Sequence, residues 1–143
     1  MDEVRSIPLI RLFDNLIVSV QVALSDALLE RLVEDITRTI EETPVSGLVL
    51  DFSGADVIDS HVTRRIRDLA VTARIMGVDT VVCGLRRAVV ISLVEMGLGT
   101  PGVATALNLE RALELLVEHR HRRRAALAEG VERTEEEAHG QQP

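Results

Sequence analysis

Residues 47–85 read GLVLDFSGADVIDSHVTRRIRDLAVTARIMGVDTVVCGL. "GLVLDF" (47–52) is a short continuous apolar run, the pattern of a strand covered on at least one face. After a loop that carries Ser60, Val62, Ile66, Leu69, Ala73 and Met76 recur at helical period as far as about Gly77. Arg64, Arg65, Arg67, Asp68 and Arg74 fall mostly outside that stripe, so the segment reads as an amphipathic helix. "DTVVCGL" (79–85) is a second β-rich run. A strand, a helix and a strand in this order predict a right-handed crossover joining two parallel strands.

The same logic extends in both directions. Upstream, "IPLIRLF" (7–13) and "LIVSVQV" (16–22) flank Asp14-Asn15, a two-residue link suited to a tight antiparallel hairpin. Next, Leu28, Leu29, Leu32, Val33, Ile36 and Ile40 form one helical stripe, with Ser25 placed to cap its start and Pro44 just past its end. Downstream, "RRAVVISLVEMGL" (86–98) reads as a short helix ended by Gly97, and "GVATAL" (102–107) as a weak strand. Asn108 then caps a helix with Leu109, Ala112, Leu113, Leu116 and Val117 on one side. The order β-β-α-β-α-β-α-β-α predicts an α/β fold. It combines a mostly parallel, mixed sheet of about five strands, a hairpin start and about four helices.

The helix over Ala88–Met96 is apolar nearly all round, broken only by Ser92 and Glu95. Such a helix is either deeply buried or partly covered by another chain. From His119 the composition changes. We expect one domain over 1–118, then a charged extension over 119–143, in which "HRHRRR" (119–124) continues the last helix as a solvated basic end with favourable dipole placement. "EGVERTEEEAHGQQP" (129–143) has few apolar anchors, and its last ten to fifteen residues are expected to be disordered.

Composition removes several functions. The 143-residue chain has a net charge of -7, no Trp or Tyr, and only two Phe, Phe13 and Phe52. Nucleic acid is thereby disfavoured, because a phosphate backbone is repelled and base-stacking aromatics are missing. All 16 basic residues are Arg, which excludes Schiff-base and P-loop lysines. Cys83 is alone, so neither a disulfide nor a thiolate zinc site forms within one chain. No apolar run approaches the roughly 20 residues of a membrane span, and a cytoplasmic protein without membrane association or cofactor is expected.

Ser60 carries the functional question. It reads first as an ordinary N-cap. As a nucleophile it has only His61 as a nearby base, a sequence neighbour whose side chain should point elsewhere, and the Gly-x-Ser-x-Gly elbow is missing. Asp51, Asp56 and Asp59 could suggest a metal-dependent phosphoryl site, but no lysine is available to meet the phosphoryl oxygens. As a modification site Ser60 suits the chemistry: a phosphate would meet free N–H groups and the positive end of a helix dipole, with Arg64 one turn away.

The element order, with "VIDS" (57–60) between a strand and a helix, resembles the STAS domains, the family of anti-sigma-factor antagonists. Three segments together, around 15–22, 56–60 and 88–107, are similar to its branch of single-domain stressosome scaffolds; "DSHV" (59–62) replaces the "DSSG" of free antagonists. The likeness spans about Ile7 to Leu116. It implies a non-enzymatic scaffold that co-assembles with a multi-domain STAS protein into a homo- or hetero-oligomer. Such a scaffold holds a serine/threonine switch kinase, releases it when Ser60 is phosphorylated, and is reset by a phosphatase. Asp59, Ser60, His61 and Val62 are then the expected kinase-facing residues, and Ser92 matches a second phosphosite of the multi-domain relatives. No catalytic or metal-binding residue is implied. The other reading within the family is a free antagonist acting on a sigma factor through an anti-sigma kinase. Arg86-Arg87 stands where the family often has Arg-Pro, which puts the start of that helix in doubt.

Overall fold

A computed structural model describes residues 6–55, 58–97 and 103–140. Nine elements follow in the expected order: β1 (Leu9–Leu12), β2 (Asn15–Ser19), α1 (Asp26–Glu42), β3 (Gly47–Asp51), α2 (Ser60–Ile75), β4 (Asp79–Cys83), α3 (Arg87–Glu95), β5 (Val103–Ala106) and α4 (Leu109–Gly140). The five strands lie side by side in sequence order. β1 pairs antiparallel with β2, and every later pair is parallel. The expected mixed sheet of five strands with four helices is what forms.

Because the three crossovers share one hand and step across the sheet in one direction, α1, α2 and α3 cover the same face. Leu16, Val18, Leu48, Leu50 and Val82 point into that layer and pack with Leu32, Ile36, Ile66 and Leu93. The alternate residues Ile17, Val49, Val81 and Cys83 point the other way, where Ala112 and Leu116 of α4 cover them. Helices on both faces explain why β3 and β4 are buried almost without alternation. Gly47 permits the close approach of α4. A Cβ there would lie 2.4 Å from Asn15 Oδ1 and 2.9 Å from Leu116 Cδ1.

Caps mark the helix ends. Leu28 N–H donates to Ser25 Oγ (3.2 Å), and Arg111 N–H to Asn108 Oδ1 (2.9 Å), as the sequence predicts. At the end of α2, Val78 N–H reaches Ala73 O and Gly77 N–H reaches Arg74 O, with Gly77 at φ +86°. That pattern is a Schellman cap, in which glycine takes the left-handed position without a Cβ penalty.

Three expectations change. The hairpin turn is centred on Phe13-Asp14, one residue earlier than Asp14-Asn15, since Leu12 pairs with Asn15. Asn15 is instead a buried strand residue, and Phe13 takes the left-handed conformation (φ 55°) while 83% exposed. Both hairpin strands end sooner than their apolar runs, at Leu12 and Ser19. Finally, α4 runs unbroken to Gly140, through the segment where disorder was expected. The basic run 119–124 thus sits mid-helix, where the dipole lends it nothing. Two of its arginines pin α4 to the sheet: Arg120 Nη2 donates to Asn15 Oδ1 (2.9 Å), and Arg123 Nη2 pairs with the buried Asp79.

Candidate functional site

The site forms where β3 hands over to α2. Asp59 is extended (φ -84°, ψ 178°), and its Oδ1 accepts from Val62 N–H at 2.8 Å, which makes Asp59 the N-cap. Its carbonyl accepts from Thr63 N–H (3.0 Å) and from Thr63 Oγ1 (2.8 Å). The cap expected at Ser60 is therefore supplied one residue earlier. Aspartate and serine cap about equally well, so the dipeptide alone does not say which of the two turns in.

That shift leaves Ser60 as the first helical residue. Its side chain is exposed, and among the described residues its hydroxyl has no hydrogen-bond partner. The N–H groups of Ser60 and His61 lie in the first turn, where no intrahelical carbonyl can reach them. His61 faces away from the serine: its Nε2 lies 3.6 Å from Asp26 Oδ1, at the start of α1, with both side chains exposed. Among the described residues no base is aligned on Ser60 Oγ, as serine hydrolysis would require. Val62 is buried in the core and anchors the turn from below, so only Asp59, Ser60 and His61 of the four expected kinase-facing residues lie at the surface. Arg64, one turn along, is also exposed.

Ser60 does not stand alone. A shallow cleft of about 220 Å³ runs between the start of α2 and α3. Ile58, Asp59, Ser60 and Thr63 form one wall, and Ala88, Val89, Ser92 and Met96 the other. Ser92 is half-buried, and its Oγ donates to Ala88 O at 3.1 Å. Two serines 32 positions apart thus share one groove. Sequence reasoning treated them separately, although consecutive right-handed crossovers already make α2 and α3 neighbours. The start of α3 keeps its form without proline: Arg86 is extended and the helix begins at Arg87.

Asp51 and Asp59, the two described aspartates of the cluster, are each engaged in a local hydrogen bond. Asp51 Oδ1 accepts from Ser53 N–H (3.0 Å) and Ser53 Oγ (2.6 Å), an Asx turn that closes the end of β3. Asp59 is occupied by its cap, and Asp56 lies outside the described residues. Among the described residues no group of three His, Cys, Asp or Glu is placed to hold a metal ion. Cys83, beside Asp51, is a core residue; burial first, and the Asp51 carboxylate second, push its thiol up to about 12. Among the described residues no helix is long and apolar enough to cross a membrane.

One apolar surface adjoins the cleft. Of the residues of α3 only Leu93 is fully buried, while Ile91 and Val94 are 49% and 56% exposed. Of the two alternatives for this helix, deep burial is thus ruled out for the isolated chain.

Comparison with known proteins agrees with this geometry. The chain is similar to RsbS of Moorella thermoacetica, solved as a serine-to-glutamate variant. The two are 33% identical with a TM-score of 0.68, over 78% of this chain and 95% of that one. A chain in a structure of the molecular architecture of the stressosome, a signal integration and transduction hub, is 34% identical, with a TM-score of 0.61 over 78% of this chain and 96% of its own. The RsbT co-antagonist protein RsbRA of Bacillus subtilis (strain 168) is 24% identical over 125 residues, which is 87% of this chain and 46% of that protein. The chain spans less than half the length of the co-antagonist relatives it matches. A family model for the STAS domain matches residues 4–112. With that match over the sheet, the first three helices and the start of α4, the chain belongs to the STAS domain family.

Proposed function

We propose that this STAS chain is a non-enzymatic, phosphorylatable scaffold of a stressosome-type complex. It holds a serine/threonine switch kinase over the Asp59–His61 surface and lets it go once Ser60 is phosphorylated; a phosphatase restores the bare hydroxyl. A longer, multi-domain STAS protein is its co-scaffold. The domain over 1–118 carries this role.

The observation that carries the reading is the position of Ser60: exposed, uncommitted, and relieved of capping duty by Asp59. A modification there costs the fold no hydrogen bond. The phosphate would bring about -1.5 to -2 charges to a helix N-terminus, with Arg64 one turn away to offset the neighbouring Asp59 carboxylate. A kinase seated on the same surface would meet those charges directly. The likeness to RsbS and to a stressosome chain, both above 30% identity, supports the assembly. So does the exposed apolar face of α3, which is of the kind another chain covers.

The test is incubation with the switch kinase and ATP, followed by intact-mass and peptide mapping, with particle size followed in the presence of the co-scaffold. Phosphate on Ser60 with release of the kinase is expected, and Ser60→Ala should retain the kinase. Phosphate mapped only to other residues, or a phosphorylated protein that still binds the kinase at full strength, overturns the reading. A small kinase complex with no large particle would move it to a free anti-sigma-factor antagonist. Ser92 is the second position to map: its hydroxyl faces the same cleft but is held by Ala88 O.

A further inference from the structure

The family match ends at residue 112, yet α4 continues to Gly140. Residues 121–138 are exposed throughout, and beyond Arg123, which reaches Asp79, no side chain among them is bonded to the sheet or to another helix among the described residues. Val117, Arg124, Leu127 and Val131 succeed one another at spacings of 7, 3 and 4, which places them on one stripe with heptad periodicity. Leu127 and Val131 are 69% and 57% exposed, and they are the large apolar side chains of a stretch (119–140) otherwise made of charged residues, histidine, alanine, glycine and Thr134.

Charge is divided along the same helix. His119, Arg120, His121, Arg122, Arg123 and Arg124 are basic or protonatable without interruption, whereas 129–137 holds Glu129, Glu132, Glu135, Glu136 and Glu137 against a single Arg133. The acidic half occupies the C-terminal turns, where the helix dipole opposes negative charge. An acidic C-terminal half and a basic preceding half, on either side of an apolar pair, are self-complementary when one copy is reversed.

We propose that residues 119–140 are a self-pairing element, with the extension of one chain packed antiparallel against that of a second copy. A two-fold axis near Glu129 sets Leu127 against the partner's Val131, and Val131 against the partner's Leu127. His121 and Arg124, beside and on the stripe, then lie within reach of the partner's Glu135 and Glu137, and each pair recurs on the other side of the axis, as an isologous interface requires. A parallel pair would set basic against basic and acidic against acidic. The two domains stand at opposite ends of the pair, about 33 Å apart at Glu118 for a rise of about 1.5 Å per residue, so they do not collide. Arg120 and Arg123, tied to the sheet through Asn15 and Asp79, fix the direction in which the extension leaves each domain.

Sedimentation velocity on the full chain, over about a hundredfold concentration range at about 0.05 M and about 0.5 M salt, tests this. A monomer–dimer equilibrium is expected, weakened about tenfold by the added salt, because the paired charges are exposed and screened. Two charge-reversed variants sharpen the test: His121→Glu with Arg124→Glu, and Glu135→Arg with Glu137→Arg. Each alone should lose dimerisation, and an equimolar mixture should recover it as a heterodimer. Leu127→Glu with Val131→Glu should also be monomeric while melting like the parent. A parent monomeric at low salt throughout the range overturns the proposal. So does self-association undiminished in either charge-reversed variant, which would place the contact on another face such as α3, or a mixture that stays monomeric.

Discussion

Replacing Asp59 with alanine removes the one side-chain acceptor, among the described residues, of the first turn of α2, the 2.8 Å bond from Val62 N–H. Loss of an N-cap costs about 1 kcal/mol, within a range of about 0.5–2, and this carboxylate also sits where the helix dipole favours negative charge. The expected destabilisation is about 1–2 kcal/mol. With a urea dependence of about 2 kcal/mol/M for a chain of this size, the unfolding midpoint falls by roughly 0.5–1 M. Ser60→Ala removes a hydroxyl with no partner and should stay within about 0.5 kcal/mol of the parent. Ser60→Asp should do the same, the gain from the dipole being set against repulsion from Asp59. Equilibrium urea unfolding followed by circular dichroism reads all three. A Ser60→Ala midpoint as low as that of Asp59→Ala would mean that the serine is the true cap, and the argument that its hydroxyl is free for modification would fail.

Three further outcomes follow from the packing. Gly47→Ala forces a methyl group against Asn15 Oδ1 and Leu116, and should destabilise by about 1–3 kcal/mol in a thermal or urea melt. Arg123→Ala leaves the buried Asp79 carboxylate without its ion pair and should cost about 1–3 kcal/mol; adding Asp79→Asn should recover part of that loss, seen as non-additivity in a double-mutant cycle. The thiol of Cys83 is raised from 9.0 to about 12, so the folded state holds its proton more tightly than the unfolded state does. The stability this contributes is complete below about pH 9 and is lost as pH rises towards 12. Thiol-reactive dye at pH 8 should label Cys83 only at the rate of global unfolding; rapid labelling of the native protein would contradict its burial.

Much of the fold was legible because its signals are local. The helical stripes of α1 and α2, the Ser25 and Asn108 caps and the apolar runs of β3 and β4 each lie within a single element, and all are found where the residues placed them. The helix cap at the candidate site was legible to within one residue. Asp59 and Ser60 are both good caps, and an error of one position is what such a pair allows. The consequence is large, because it decides whether the serine hydroxyl is engaged or free. The hairpin turn slipped by one residue for a related reason: Asp14-Asn15 has favourable turn chemistry, but Asn15 is held in the sheet by Arg120 from a helix 105 positions away.

Periodicity, capping chemistry and the alternation of strand and helix are properties of neighbouring residues, so the order of the elements and the family they build could be read before any contact was known. Partners depend on which face of the sheet each helix covers. Only the folded chain brings Ser60 and Ser92 to one cleft, sends Arg120 and Arg123 to the foot of the sheet, and leaves Ile91, Val94, Leu127 and Val131 uncovered. Those contacts join residues tens of positions apart, and no local pattern encodes them.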